Sequence, residues 1–277
     1  MSADDPRLPA IAAFAADALG ATKAQASGLK ALSGGAIQEN YALDLTLADG
    51  PRAGARALVL RADPPSGVAV SRPKIEEAAL LRAAFDAGVT APEPLAYCDD
   101  AAVFGARFFL MTRAAGSADP RRLTRDPALD PVRTELTEDL GRQIGRLHRI
   151  RPPRADLAFL GEPPLDPAAA RIAEYRRLLD DLPAPYPGLE FALRRLERLP
   201  PAPSPAVLIH GDFRTGNYLE DGGRVSALLD WEFGGWGHPM EDIGYFCASC
   251  WRFEGQMRRA GGVGALADFR RGYEAEA

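Results

Sequence analysis

Hydrophobic positions recur at helical spacing over residues 7 to 19, which predicts an N-terminal helix. Between Leu29 and Leu45 the pattern changes to short alternating runs on either side of Gly34-Gly35, as in a hairpin whose turn exposes its backbone. Ala57 to Arg61 is a compact apolar run and predicts a third strand, closed by Pro64-Pro65-Ser66-Gly67. Ile75 to Ala87 returns to helical spacing, with Leu80, Leu81, Ala84 and Phe85 on one face and Glu76 and Glu77 in the first turn. Val103 to Met111 predicts a hairpin that ends in a buried strand.

Ala114-Ala115-Gly116-Ser117 is small and flexible enough to serve as a hinge. After it come three helical segments, 136 to 149, 167 to 181 and 189 to 199, separated by stretches rich in proline. Val207 to Ile209 and Val225 to Leu229 are short apolar strands, and a hairpin-like return would bring their ends together. There is no internal repeat. The expectation is an α+β chain of two lobes, residues 1–113 and 114–277, the first with an antiparallel sheet and the second mainly helical.

Composition narrows the function classes. A net charge of -5 over 277 residues argues against a nucleic-acid partner. No apolar run approaches the roughly 18 to 20 residues that cross a bilayer. The start, Met1 to Pro6, lacks the pattern of a secretory signal, and three cysteines do not make a disulfide framework, so a cytoplasmic protein is expected. Lysine is confined to Lys23, Lys30 and Lys74, which reads as compositional bias.

The candidate chemistry follows the two short strands. The first delivers His210-Gly-Asp-Phe-Arg-Thr-Gly-Asn217 into a loop, and the second delivers Asp230-Trp231-Glu232. Phosphoryl transfer needs a carboxylate to orient the acceptor hydroxyl and oxygen ligands to hold Mg²⁺ against the phosphates. Asp212 suits the first role, and Asn217 and Asp230 suit the second.

This string, continued by Gly237-His-Pro-Met-Glu-Asp-Ile-Gly244, resembles the aminoglycoside phosphotransferase and choline kinase superfamily, and most of all the branch related to the kinase domain of acyl-CoA dehydrogenase family proteins. The resemblance runs from about Leu32 to Tyr245. It implies a protein-kinase-like fold, ATP and Mg²⁺ as cofactors, and a small-molecule hydroxyl acceptor, with no membrane partner. It also implies that Ser33, Gly34 and Gly35 face the phosphates, that Arg61 replaces the usual strand lysine with Glu77 as its partner, and that Met111 to Arg113 meet the adenine edge. Arg214 matches the position of a cation near the transferred phosphate. The resembling proteins continue for several helices beyond the position of Ala277, and these often complete the acceptor pocket.

Plainer readings stand beside these. Glu232 assists a second metal or caps the loop. His210 holds the loop by hydrogen bonding, His148 is a packed and satisfied histidine, His238 shapes a turn, and Asp242 braces the loop or caps a helix. Cys247 and Cys250 read as a buried structural pair. The arginines at 142, 146, 149, 151 and 154 are a solvated helix face or a lure for an anionic substrate such as an acyl-CoA. A nucleotide-binding scaffold without chemistry is the alternative to an enzyme.

Overall fold

The structure, a computed structural model, describes residues 5–32, 39–64 and 71–277. It divides into two compact units: Met1–Ser117 with Tyr218–Gly222 and Ser226–Phe233, and Ala118–Asn217 with Gly223–Val225 and Gly234–Ala277. The segment carrying Asp230 and Glu232 therefore clusters with the first unit.

In the first unit, helix α1 (Leu8–Ala18) starts with a proline in its first turn and buries Leu8, Ile11, Ala12, Ala15 and Ala16. The strands β1 (Ala24–Ala31), β2 (Glu39–Leu47), β3 (Gly54–Ala62), β4 (Pro94–Cys98) and β5 (Phe108–Thr112) form one antiparallel sheet in the order β1-β2-β3-β5-β4. One face carries Leu43, Leu45, Leu58, Leu60, Phe108 and Leu110, which share a core cluster with Leu8, Ile11 and Ala15 of α1. Side chains alternate along a strand, so Leu60 facing that core turns Arg61 to the opposite face. Arg61 lies opposite Asn40 of β2 and Phe109 of β5 in register. Helix α2 (Lys74–Asp86) packs on β4 and β5 and buries Glu77 beside Leu80, Leu81 and Ala84. The hairpin turn expected at Gly34-Gly35 lies outside the described residues. The hairpin expected before Met111 is instead β4 joined to β5 by a long loop, and β4 escapes the pattern because it is short and opens on a proline.

The second unit holds α3 (Pro120–Arg125), α4 (Arg133–His148), α5 (Pro167–Asp180), α6 (Pro187–Arg198), β6 (Val207–Ile209) and, after the short ribbon β7 (Tyr218–Asp221) and β8 (Arg224–Leu228), strand β9 (Gly235–Gly237), α7 (Met240–Phe246) and α8 (Leu266–Glu274). Helix α8 lies against α4 so closely that a Cβ on Gly272 would fall on the Glu138 carbonyl and one on Gly141 would fall on the Phe269 carbonyl. The expected return between the strands at 207 and 225 is corrected here: β6 pairs with β9, and β8 pairs with β7. Three-residue strands carry no alternation from which a partner is legible. Among the described residues no helix is long and apolar enough to cross a membrane.

Candidate active site

Strand β6 ends at Ile209, and the chain turns at Gly211, whose φ of +79° is left-handed and suits glycine. The turn is held from behind by Asp242 in the first turn of α7. Its Oδ2 accepts from the His210 backbone N–H at 2.8 Å and its Oδ1 accepts from Gly211 N–H at 2.9 Å. His148 of α4 contributes a third contact, with Nε2 3.1 Å from Asp242 Oδ2 and Nδ1 3.0 Å from the Tyr273 hydroxyl. Burial pushes the Asp242 carboxyl up, but the bond from His148, the charges of His148 and His210 and the His210 N–H together outweigh it and hold the group below the usual carboxylate range.

The loop is also pinned from within. Phe213 is fully buried against Phe246 and Phe269, with ring centroids 4.6 Å and 6.2 Å away. Thr215 Oγ1 donates to the Gly261 carbonyl at 2.6 Å. Between these anchors, Asn217 Nδ2 donates to Asp212 Oδ2 at 2.6 Å and to the Asp212 carbonyl at 2.9 Å. With the amide nitrogen committed to Asp212, the Asn217 oxygen is the atom suited to a cation. Arg214 Nε lies 3.2 Å from Asp212 Oδ1, and its guanidinium sits 4.6 Å above the Trp251 ring. Tyr245 is near enough to Asp212 that burial, the aspartate charge and a hydrogen bond to it push the phenol up to about 12.

The first unit builds a separate cluster around Arg61. Its Nε is 2.7 Å from Glu77 Oε1, an ion-pair contact without hydrogen-bond geometry. Nη1 lies 2.9 Å from Asp230 Oδ1 and donates to Asn40 Oδ1 at 3.2 Å. Nη2 is buried and has no acceptor among the described residues. Lys74 Nζ donates to the other Glu77 oxygen at 2.7 Å, and both side chains are 2% exposed. Asp230 has a left-handed φ of 61°, unusual for a residue with a side chain.

A family model described as the phosphotransferase enzyme family matches residues 28–277. The chain belongs to that family. Acyl-CoA dehydrogenase family member 11 of Gallus gallus is 32% identical over 203 residues, which is 69% of this chain and 25% of the relative. The chain thus spans about a quarter of the length of the curated relatives it matches. Among solved structures, a candidate aminoglycoside phosphotransferase from Ralstonia eutropha aligns with a TM-score of 0.68 at 23% identity, covering 97% of this chain and 79% of that one. The ternary complex of APH(2″)-IIa with streptomycin and ATP aligns with a TM-score of 0.59 at 14% identity, covering 100% of this chain and 84% of that one. These two likenesses show the kinase-like fold expected from the sequence.

The remaining predicted residues of this phosphotransferase family member fall as follows. Glu232 is buried in the first unit, and its carbonyl accepts from Arg72 N–H at 3.1 Å; burial works to lower the pKa of Arg61, but the charges of Glu77, Asp230 and then Glu232 raise it. Met111 is buried in β5, opposite Val59 and Pro94. Arg113 gives its backbone N–H to the Ala57 carbonyl at 3.0 Å and its guanidinium to Asp44 at 2.9 Å. Ser33, Gly34 and Gly35 lie outside the described residues. Cys247 and Cys250 are not a buried pair: Cys247 is half-buried and Cys250 is exposed, because α7 ends at Phe246 and the chain turns outward. Arg142, Arg146, Arg149 and Arg154 each have a carboxylate partner within 4 Å.

Asn40, Lys74, Tyr245 and Trp251 were not singled out from the sequence. Lys74 alone left a trace there, as one of three lysines and three residues ahead of Glu77. Among the described residues no three His, Cys, Asp or Glu side chains gather as a metal site. The donors suited to Mg²⁺ are one amide and one carboxylate, and this ion commonly keeps waters and substrate phosphates as its other ligands, so the donor chemistry fits.

Proposed function

We infer that this chain is an ATP- and Mg²⁺-dependent phosphotransferase that moves the γ-phosphate to a hydroxyl group of a small molecule. The observation that carries this is Asp212 locked to Asn217 at 2.6 Å in a loop braced by Asp242 and Phe213. So rigid a loop fixes one carboxylate oxygen for an incoming hydroxyl, and positioning is most of what phosphoryl transfer asks of a protein.

In this reading Asp212 orients the acceptor hydroxyl and receives its proton. Arg214 steadies charge on the transferred group. Asn217 and Asp230 would hold Mg²⁺, with Glu232 assisting a second ion, and the metal would supply neutralisation of phosphate charge. Arg61 offers the unpartnered Nη2 N–H to the α- and β-phosphates, with Glu77 fixing its fork. Ser33, Gly34 and Gly35 present backbone N–H groups to phosphate, and the backbone from Met111 to Arg113 meets the adenine. The ATP complex of APH(2″)-IIa supports ATP as donor.

The test is ATP turnover across a panel of hydroxyl compounds: aminoglycosides, choline-like alcohols, sugars and hydroxyacyl thioesters. The last are included because the curated relatives are acyl-CoA dehydrogenase family members. We expect one class to be phosphorylated, and Asp212→Ala to lower kcat about 10³-fold with little change in KM for ATP. A wild type that binds MgATP but phosphorylates nothing in the panel would mark a scaffold instead.

A further inference from the structure

Lys74 stands where local physics disfavours a lysine. It opens α2, so its positive charge faces the positive end of the helix dipole. It is also 2% exposed, and an unpaired buried ammonium is costly. Glu77 satisfies it at 2.7 Å, yet the same carboxylate is the partner of Arg61. Glu77 is thus shared by two cations.

In the resting cluster Arg61 and Lys74 stand against three carboxylates, Glu77, Asp230 and Glu232. If Asp230 and Glu232 turn to metal ions, as in the reading above on which this inference rests, two cations remain against one glutamate. Without Lys74, Glu77 would cancel Arg61, and the strand cation would offer a bound polyphosphate little net attraction.

We propose that Lys74 is a positioning residue that offsets the charge of Glu77, leaving the charge of Arg61 available to the nucleotide phosphates. Two geometric facts support it. Lys74 takes Glu77 Oε2 and so restricts Arg61 to Oε1, and the Arg61 Nη2 atom is buried without an acceptor among the described residues. The shared carboxylate orients the guanidinium without exhausting it.

The experiment is calorimetric titration with MgADP and, separately, with adenosine, using the wild type, Lys74→Met and Lys74→Met/Glu77→Gln. Removing one unit charge within about 10 Å of a polyphosphate at an effective dielectric of about 20 predicts about tenfold weaker MgADP binding. Adenosine binding should stay within about twofold, because it carries no phosphate. The double variant removes the charge that Lys74 offsets while glutamine keeps an oxygen for Arg61, and should bind MgADP more tightly than the single variant. Equal weakening of both ligands by Lys74→Met, no weakening of either, or a double variant no tighter than the single one overturns the proposal. If Lys74→Met does not fold, Lys74→Gln takes its place, with the same expected and overturning results. A wild type that binds neither ligand overturns the functional reading itself, which separates the two failures.

Discussion

Replacing Asp242 with asparagine tests whether the candidate catalytic loop is held as its geometry indicates. The carboxylate accepts from three donors: His210 N–H and His148 at Oδ2, and Gly211 N–H at Oδ1. An asparagine has one acceptor oxygen. Pointed at His210 and His148, it sets its own NH₂ group against Gly211 N–H; pointed at Gly211, it abandons the other two. The better choice leaves a buried donor unsatisfied, at a cost of about 1–3 kcal/mol, and weakens the remaining bonds by removing their charge. Relief from burying a carboxylate offsets part of this, so a net loss of about 2 kcal/mol is expected. In a unit of this size that lowers Tm by about 4–8 °C.

The sign with pH distinguishes this account from simple repacking. The folded pKa of Asp242 lies below its ordinary value. A depressed carboxylate contributes stability that is fully present above the unfolded pKa of about 3.9 and is lost as pH falls through the folded value. The gap between wild type and Asp242→Asn in urea unfolding, followed by tryptophan fluorescence, should therefore be widest near neutral pH and shrink as pH drops below about 4. A gap equally wide at both ends of that range, or none at neutral pH, would refute the argument. The variant should also lose turnover, since Gly211 and Asp212 would no longer be fixed.

Two further outcomes follow from packing. Gly272→Ala places a methyl on the Glu138 carbonyl where α8 meets α4, and should cost about 3 kcal/mol by thermal melting, whereas Gly244→Ala, with nothing within 4 Å, should be neutral or slightly stabilising. With a thiol reagent under native conditions Cys250 should react first, while Cys98, buried and with its thiol pushed up chiefly by burial, should react only after unfolding.

What the sequence made legible, and what it hid, divides along physical lines. The long helices α1, α2, α4, α5 and α6 lie within a few residues of their expected bounds, because a helix writes its buried face into every third or fourth residue. Strand β1 begins earlier than its pattern suggests, since only Leu29 within it is buried. Strands β7 and β9 are three or four residues long, too short to display alternation, so the pairing of β6 with β9 was illegible. At the candidate site, the spacing from Asp212 to Asn217 is a local signal and was readable. The second cation on Glu77 was not, because Lys74 looks like any helix-start residue until the fold buries it. His148 and Asp242 are 94 residues apart and meet only through the packing of α4 with the loop and α7.

The costs in this molecule are unevenly spread, and their location bears on function. Asp230 holds a left-handed backbone, a conformation that costs a residue with a Cβ about 1 kcal/mol. A few ångströms away, Arg61 keeps a buried N–H with no acceptor among the described residues, and Lys74 sits against a helix dipole at full burial. Each would be easy to relieve: glycine at 230, a shorter apolar residue at 74, an added acceptor near Nη2. All three fall in one cluster of the first unit, around a single arginine on β3. Strain and unsatisfied polar groups persist where surrounding structure over-determines them, and they gather at sites that bind or react. The left-handed Asp230, the arginine donor in reserve and the shared Glu77 therefore gather where the proposed function places the nucleotide phosphates.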